Sequence, residues 1–123
     1  MLIGVGCDVI EIARVQKAIV KRSFVERVFA PEEIAYCESR GKQAAASFAA
    51  RFAAKEAVLK ALGTGLRGGE LTEIGITNDE VGKPSVQLLG YHGQLAAKLG
   101  VKKIAISMSH SRETALAYVV MEG

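Results

Sequence analysis

The longest predicted helix lies in the stretch QAAASFAARFAAKEAVLKALG, residues 43–63. Its alanines and leucines favour an α-helix from Gln43 to Leu62, and Gly63 suits a left-handed C-terminal cap. Alanine also lets neighbouring backbone come close to the helix. The large apolar side chains fall together on one helical face: Phe48, Phe52, Leu59 and Leu62. We therefore expect the chain to pack around this helix.

Outward from this helix, short apolar segments predict strands and further helices. The predicted strands cover residues 2–8, 73–78, 85–89, 104–109 and 114–121. The other predicted helices cover residues 11–21, 24–29, a segment beginning at Pro31, and 94–99. A turn at residues 79–84 joins the second and third strands as a hairpin. This order indicates an α+β fold, in which a small, mainly antiparallel sheet packs against one long helix and shorter helices.

Length and composition indicate a single domain covering residues 1–123. The chain is 50% hydrophobic and 24% charged, which excludes a disordered or collagen-like chain. No apolar run reaches the roughly 18 residues of a membrane-spanning helix, and no signal peptide is expected at the N-terminus. Two cysteines, Cys7 and Cys37, are too few for a disulfide scaffold, so we expect a reduced, cytoplasmic protein without a membrane partner.

The surplus positive charge is concentrated near the N-terminus. The whole chain carries a net charge of +3, but residues 13–28 alone hold five basic side chains and one acid, which gives +4 for this segment. The basic residues are Arg14, Lys17, Lys21, Arg22 and Arg27. One basic segment in a weakly basic protein favours a local acidic partner over general nucleic-acid binding.

Several charged residues allow more than one interpretation. Asp8, at the end of the first predicted strand, could cap the following helix or bind a hard cation. Glu56 and Lys60 are four residues apart and could form an exposed ion pair on the long helix. Lys55 lies in the middle of the apolar helical face, where it must snorkel to solvent, pair with a buried acid or face a polar cleft.

Two histidines and a glycine-rich loop are the remaining candidates. His110 follows a strand, where a lone histidine is more often structural or exposed than catalytic, and His92 is interpreted as a loop residue without a role. The glycine loop, residues 63–69, follows a helix instead of preceding one, so it is not a P-loop. If Asp8 and Glu56 converge beside the lysines, the group would suit Mg²⁺ and a diphosphate.

Four segments of the chain resemble the family of bacterial holo-[acyl-carrier-protein] synthases, which are small 4′-phosphopantetheinyl transferases. They are residues 4–14, 51–65, 82–84 and 107–110. The second segment carries the specific pattern F-x-x-K-E-x-x-x-K from Phe52 to Lys60. The resemblance covers essentially the whole chain and implies that family's fold. It also implies transfer of the 4′-phosphopantetheine arm of coenzyme A to a serine of apo-acyl carrier protein. Adenosine 3′,5′-bisphosphate would be released, and the reaction would support fatty acid biosynthesis.

The resemblance assigns a catalytic role to three residues. Asp8 and Glu56 would hold Mg²⁺ on the coenzyme A diphosphate, which Lys60 would contact. In phosphoryl transfer, the ion and the ammonium group would stabilise charge on the phosphate oxygens. Glu56 is also the candidate acceptor of the serine proton.

Other residues are expected to bind the nucleotide and the partners. Arg51 and His110 would lie near the nucleotide, at its 3′-phosphate, and Gly63 and Gly65 are further candidates for contact with coenzyme A. In this family the helix after the aspartate docks the acidic carrier protein. Arg14 matches that helix by position, whereas four residues match only in character: Lys17, Lys21, Arg22 and Arg27. The family is typically a homotrimer with active sites between subunits.

Two other functions are alternatives to this one. A nucleic-acid-binding module could use residues 14–27, but the chain lacks the aromatic pattern that stacks on RNA and its net charge is small. A Mg²⁺-dependent phosphohydrolase would share the metal site but would not need the basic helix.

Overall fold

The computed structural model describes residues 1–123 and contains five strands and five α-helices. In chain order they are β1 (Leu2–Glu11), α1 (Ile12–Ala18), α2 (Arg22–Val28), α3 (Pro31–Glu38), α4 (Ala44–Leu62), β2 (Ile74–Asn78), β3 (Pro84–Leu88), α5 (Gly90–Leu99), β4 (Lys103–His110) and β5 (Thr114–Glu122). Two single 3₁₀ turns, Gly41–Gln43 and Leu71–Glu73, precede α4 and β2. No helix has both the length and the apolar character that crossing a membrane requires.

The strands form two antiparallel sheets. β5 lies between β1 and β4 in a three-stranded sheet, while β2 and β3 form a separate hairpin. Antiparallel pairing and the long packed helix confirm the predicted α+β fold. Within the larger sheet, Asp8 of β1 and Met108 of β4 both lie opposite Ala117 of β5.

β1 approaches α4 closely because two of its residues lack side chains. A Cβ atom at Gly6 would collide with the carbonyl oxygen of Ala57, and one at Gly4 would collide with that of Ala61. Glycine in the strand and alanine in the helix therefore bring the two backbones into contact. Side chains that leave β1 and α4 beside this contact are consequently held close together.

Helix α4 runs through the middle of the molecule. Thirteen of its nineteen residues are buried, so the single apolar face predicted from the sequence is too narrow. The C-terminal half packs against both sheets and α5, in a cluster that includes Val58, Ile74 and Val119. The N-terminal half packs against α1, α2 and α3, in a second cluster that includes Phe48 and Phe29. Neighbours on several sides bury residues that one amphipathic face would leave exposed.

Three predicted boundaries differ from the structure. β1 continues past Asp8 because its pairing with β5 extends to Glu11 opposite Thr114. The following helix, predicted for residues 11–21, therefore begins only at Ile12 and ends at Ala18. Helix α5 begins at Gly90, four residues earlier than predicted. The other elements lie close to their predicted positions, including the hairpin and the left-handed Gly63 cap at φ 83°.

Candidate functional site

A charged cluster forms where β1 crosses α4. Asp8 lies on the same face of β1 as Gly6 and is therefore directed toward the helix. Glu56 precedes Ala57, the residue that Gly6 contacts, and Lys60 follows one helical turn later. Lys60 Nζ donates hydrogen bonds to Asp8 Oδ1 at 3.1 Å and to the carbonyl oxygen of Cys7 at 2.9 Å. The close approach of strand and helix thus brings Asp8, Glu56 and Lys60 together.

The contacts of this cluster decide two of the alternatives left open above. The N-cap position of α1 is Glu11, and no side chain caps it, so the interpretation of Asp8 as a helix cap is wrong. Lys60 forms its ion pair with Asp8 and not with Glu56, so the interpretation of Glu56 and Lys60 as an exposed ion pair within α4 is also wrong. The first correction follows from the longer β1, whose extension to Glu11 separates Asp8 from the start of α1. The second follows from the close approach of β1 and α4.

The electrostatics of Glu56 indicate a site that lacks positive charge. Partial burial raises the pKa of the Glu56 carboxyl above its ordinary value of 4.5, and the negative charge of Asp8 raises it further. Lys60 opposes both effects by favouring the charged form. Two carboxylates beside one lysine leave an excess of negative charge that a cation would offset.

The donor set of this cluster suits a hard divalent cation that is only partly bound by protein. No three His, Cys, Asp or Glu side chains converge anywhere in the chain. Within the charged cluster, the carboxylates of Asp8 and Glu56 are the two protein groups available to bind a cation. Mg²⁺ is usually held by one or two carboxylates together with waters and substrate phosphates. This observation fits the predicted role of the pair.

Lys55 points away from the charged cluster, into the core. Its Nζ donates hydrogen bonds to Glu33 Oε1 at 2.8 Å, to the carbonyl oxygen of Leu71 at 3.0 Å and to that of Ile74. Burial lowers the pKa of Lys55, against the opposing influence of Glu33. Of the three interpretations given above, pairing with a buried acid is the one observed. Lys55 therefore joins α4 to α3 and β2.

A second group of predicted site residues lines a pocket of about 400 Å³ on another side of α4. Arg51 and His110 both face this pocket, with Arg51 buried and His110 exposed at the end of β4. The Arg51 guanidinium donates hydrogen bonds to Ser47 Oγ at 3.2 Å and to Asn78 Oδ1. It also lies over the ring of Tyr36, 4.3 Å from the ring centroid. The pocket therefore offers a fixed guanidinium, an aromatic ring and a histidine.

Sequence reasoning missed Tyr36 and Asn78, which position Arg51. Asn78 is 27 residues from Arg51 and meets it only because β2 returns alongside α3 and α4. No local pattern marks such a contact. Asn78 is the last residue of a predicted strand, and the turn residues 79–84 after it indicate a hairpin and not a binding group.

The glycine loop leaves open space at its start. Gly63 and Gly65 adopt φ angles of 83° and 62°, which side chains rarely tolerate, and a Cβ at either would meet no atom within 4 Å. The loop begins directly after α4, close in sequence to Lys60. A ligand at the charged cluster would therefore have room beside these glycines.

Most of the predicted docking residues surround one basic groove between α1 and α2, of about 620 Å³. The groove is lined by Arg14, Lys17, Lys21 and Arg27, with Phe24 among them. Arg22 lies elsewhere, because its guanidinium pairs with Glu38 at 3.0 Å and with Glu26 at 3.4 Å. Four of the five predicted basic residues thus share one surface.

The predicted site residues are divided between two places in a single chain. The charged cluster of Asp8, Glu56 and Lys60 contributes nothing to the lining of the pocket that Arg51 and His110 share. Arg51 and Glu56 are five residues apart on α4, so they leave the helix in different directions. One chain therefore carries the charged cluster and the Arg51 pocket as two separate groups of residues.

Comparison with known proteins gives a consistent set of similarities. A model of the 4′-phosphopantetheinyl transferase superfamily matches residues 4–119. Holo-[acyl-carrier-protein] synthase of Geotalea daltonii is 46% identical, over 99% of each chain. The crystal structure of the Neisseria meningitidis enzyme of the same name has a TM-score of 0.90 at 35% identity and covers 100% of both chains. The Helicobacter pylori enzyme, solved in complex with coenzyme A, has a TM-score of 0.82 at 31% identity, over 96% of this chain and 99% of that one.

Proposed function

The chain belongs to the 4′-phosphopantetheinyl transferase superfamily, and we propose that it transfers the phosphopantetheine arm of coenzyme A to a serine of apo-acyl carrier protein. Adenosine 3′,5′-bisphosphate is the other product. The observation that carries the proposal is the charged cluster of Asp8, Glu56 and Lys60 at the crossing of β1 and α4. The coenzyme A complex of the H. pylori relative supports the choice of donor substrate.

Magnesium dependence is part of the proposal. Asp8 and Glu56 would hold the ion, since two carboxylates leave the remaining positions for waters and the diphosphate of coenzyme A. When bound, Mg²⁺ supplies charge neutralisation at the phosphate oxygens. Burial and then the negative charge of Asp8 raise the pKa of the Glu56 carboxyl, and a cation bound here would relieve the repulsion between the two acids.

Lys60 and Glu56 have distinct tasks in the proposed transfer. The carrier serine attacks the β-phosphorus and the bisphosphate leaves. The exposed Lys60 ammonium, anchored on Asp8 and the Cys7 carbonyl, moves onto the diphosphate and offsets its charge. Glu56 accepts the serine proton. Gly63 and Gly65 give the arm room to pass, because the space above them is open.

The pocket around Arg51 suits the nucleotide end of coenzyme A. A guanidinium held by Ser47, Asn78 and the Tyr36 ring is pre-organised to bind a phosphate group. We assign the 3′-phosphate to Arg51 and His110.

We propose a homotrimer, in which each complete site lies between two copies. The outer face of the larger sheet supports this, because it exposes apolar side chains on neighbouring strands: Val5, Val9, Leu116 and Tyr118. Val9 and Leu116 are directly opposite each other in the sheet. A contiguous exposed apolar face marks an interaction surface. Association of copies would bring one chain's charged cluster to another chain's Arg51 pocket, as a single coenzyme A requires.

The basic groove between α1 and α2 is the proposed docking surface for the carrier protein. Arg14, Lys17, Lys21 and Arg27 would steer an acidic partner and orient it. The proposal includes a cytoplasmic location, in keeping with the two free cysteines, and a role in fatty acid biosynthesis.

Mass spectrometry tests the proposed function directly. The protein is incubated with coenzyme A, Mg²⁺ and apo-acyl carrier protein, and we expect the carrier to gain the mass of one phosphopantetheine group. A matched reaction with a carrier whose serine is replaced by alanine should show no gain. If the intact carrier gains nothing, the transferase proposal fails. Cleavage of coenzyme A in the absence of any carrier would instead favour the phosphohydrolase.

A further inference from the structure

A buried polar pair lies beneath the far end of the glycine loop. His92, in the first turn of α5, is fully buried, and neither ring nitrogen has a hydrogen-bond partner. Glu73 Oε1 is also buried without a partner and lies 3.9 Å from His92 Nε2. Buried polar atoms are almost always hydrogen-bonded in native proteins. His92 lies in α5, so its predicted placement in a loop is wrong, and the unpaired polar atoms of His92 and Glu73 need an explanation.

The glycine loop rests directly on this pair. A Cβ atom at Gly69 would lie 2.6 Å from His92 Nε2 and 3.0 Å from Glu73 Oε1, closer than real Cβ contacts allow. At Gly68, whose φ is 74°, a Cβ would lie 3.2 Å from the ring of Tyr91. Only glycine at these two positions lets the loop backbone settle against α5.

Glu73 is itself held firmly against α5. The Leu89 amide donates a 2.9 Å hydrogen bond to the Glu73 carbonyl oxygen. The Glu73 carboxylate lies beside Gly90, the first residue of the helix, where the helix dipole favours negative charge. The Glu73 backbone is thus anchored beside α5, and its carboxylate faces the imidazole.

The start of the same loop lies next to the proposed coenzyme A site. Gly63 ends α4 just after Lys60, and the glycines between Gly63 and Gly69 give the loop little stiffness of its own. Because α4 holds the start of this short loop, a contact that holds its far end limits the conformations of the residues between them.

We propose that His92 and Glu73 are positioning residues that hold the glycine loop in the conformation that receives coenzyme A. This inference rests on the proposed function. Glu73 Oε1 faces His92 Nε2, so a tautomer with its proton on Nε2 suits this contact. Their 3.9 Å separation is longer than a hydrogen bond, so the two groups face each other in a close polar contact on which the loop rests. Neither side chain touches the reacting atoms.

A pair of matched glycine substitutions gives the first test. Gly69→Ala places a methyl group against the imidazole and should raise KM for coenzyme A about tenfold, with little change in kcat or in KM for the carrier. Gly75→Ala is the control, because a Cβ there meets its nearest atom at an ordinary 3.6 Å. An unchanged KM for coenzyme A in Gly69→Ala, or equal loss in all three parameters, would overturn the proposal.

Variants of His92 give a second test that needs no activity. Hydrogen exchange of residues 63–69 should become faster in His92→Leu, while exchange in β1 and β5 should stay as in the unmodified protein. His92→Gln, whose amide nitrogen can face Glu73, should restore slow exchange in the loop. Equal exchange of the loop in all three proteins would contradict the positioning role. Because this readout needs no substrate, the inference can fail or succeed independently of the transferase activity.

Discussion

Lys55 donates a 2.8 Å hydrogen bond to Glu33 inside the core, where neither side chain reaches solvent. The Glu33 carboxylate also accepts hydrogen bonds from the amides of Ala30 and Ile76, so every strong polar group of the pair has a partner. Glu56, which follows Lys55 in the sequence, points toward β1 instead and belongs to the charged cluster. Adjacent residues of one sequence motif therefore serve the fold and the proposed chemistry separately.

Replacement of Lys55 by methionine should destabilise the protein. The variant leaves the Glu33 carboxylate buried without its cation, for which a loss of about 3–5 kcal/mol in the free energy of unfolding is expected. Urea denaturation measures the change. Lys98→Met is the control, since Lys98 is exposed on α5 and should change stability little. A gain of stability in Lys55→Met would mean that the ammonium group contributes nothing to the fold.

Replacement of Glu56 by glutamine should separate activity from stability. Turnover should fall about 10²–10⁴-fold, the usual range for loss of a single electrostatic or acid–base group. The substitution also removes a carboxylate that Asp8 repels, so the metal-free variant should melt at a higher temperature at neutral pH. Glu80→Gln, in the exposed hairpin turn, is the control and should change neither property.

The stability difference between the Glu56→Gln variant and the unmodified protein should depend on pH. The pKa of Glu56 is raised on folding, so ionisation of this group disfavours the folded state. As the pH falls through the raised pKa toward 4.5, Glu56 becomes neutral and the two melting temperatures should converge. A difference that grows on acidification would contradict this assignment.

Charge changes in the basic groove should affect the carrier protein alone. Reversing Arg14 and Lys21 to glutamate should raise KM for the carrier while leaving KM for coenzyme A nearly unchanged. Arg22→Gln is the matched control, because Arg22 pairs with Glu26 and Glu38 away from the groove. Steady-state kinetics with each substrate varied in turn measures both constants. An equal rise for both substrates would place the groove within the catalytic site or the fold.

Mixing two inactive variants tests whether each site is shared between copies. Asp8→Asn damages the charged cluster and His110→Ala damages the nucleotide pocket, so each should be impaired alone. After subunit exchange, mixed oligomers contain some sites with both halves intact, and activity should partly return. Mixing Asp8→Asn with Glu56→Gln is the control, because both changes lie in one half and no intact site can form. Failure of the first mixture to recover, despite demonstrated exchange, would argue against shared sites.

The sequence predicted the arrangement of helices and strands better than the contacts between distant residues. Helix α4 and the β2–β3 hairpin follow from local periodicity and turn residues, which act over a few positions. Local patterns do not predict the partners of Lys55 and Lys60, because Glu33 lies 22 residues from Lys55 and Asp8 lies 52 residues from Lys60. The length of β1 was underestimated for the same reason: its end is fixed by pairing with β5, more than a hundred residues later.

The candidate site residues also divide into those that the sequence identified and those that depend on contacts between distant segments. Motif resemblance identified Asp8, Glu56 and Lys60, and the structure brings these three together. It could not have identified Tyr36 or His92, whose surroundings arise only when α3, β2 and α5 pack. A buried histidine in a short, glycine-flanked segment has no periodic pattern to separate it from a loop residue.

The meeting of Gly6 with the Ala57 carbonyl has a consequence for ion binding. The distance between β1 and α4 is set there by main chain touching main chain, and the carboxylates of Asp8 and Glu56 extend from either side of it. Mg²⁺ takes oxygen ligands at about 2.0–2.1 Å, whereas Ca²⁺ prefers about 2.3–2.6 Å. The main-chain contact thus sets where the two acidic side chains leave the backbone. We expect a larger side chain at position 6 to push β1 away from α4 and so to weaken the binding of any ion that both acids hold, even with both acids unchanged.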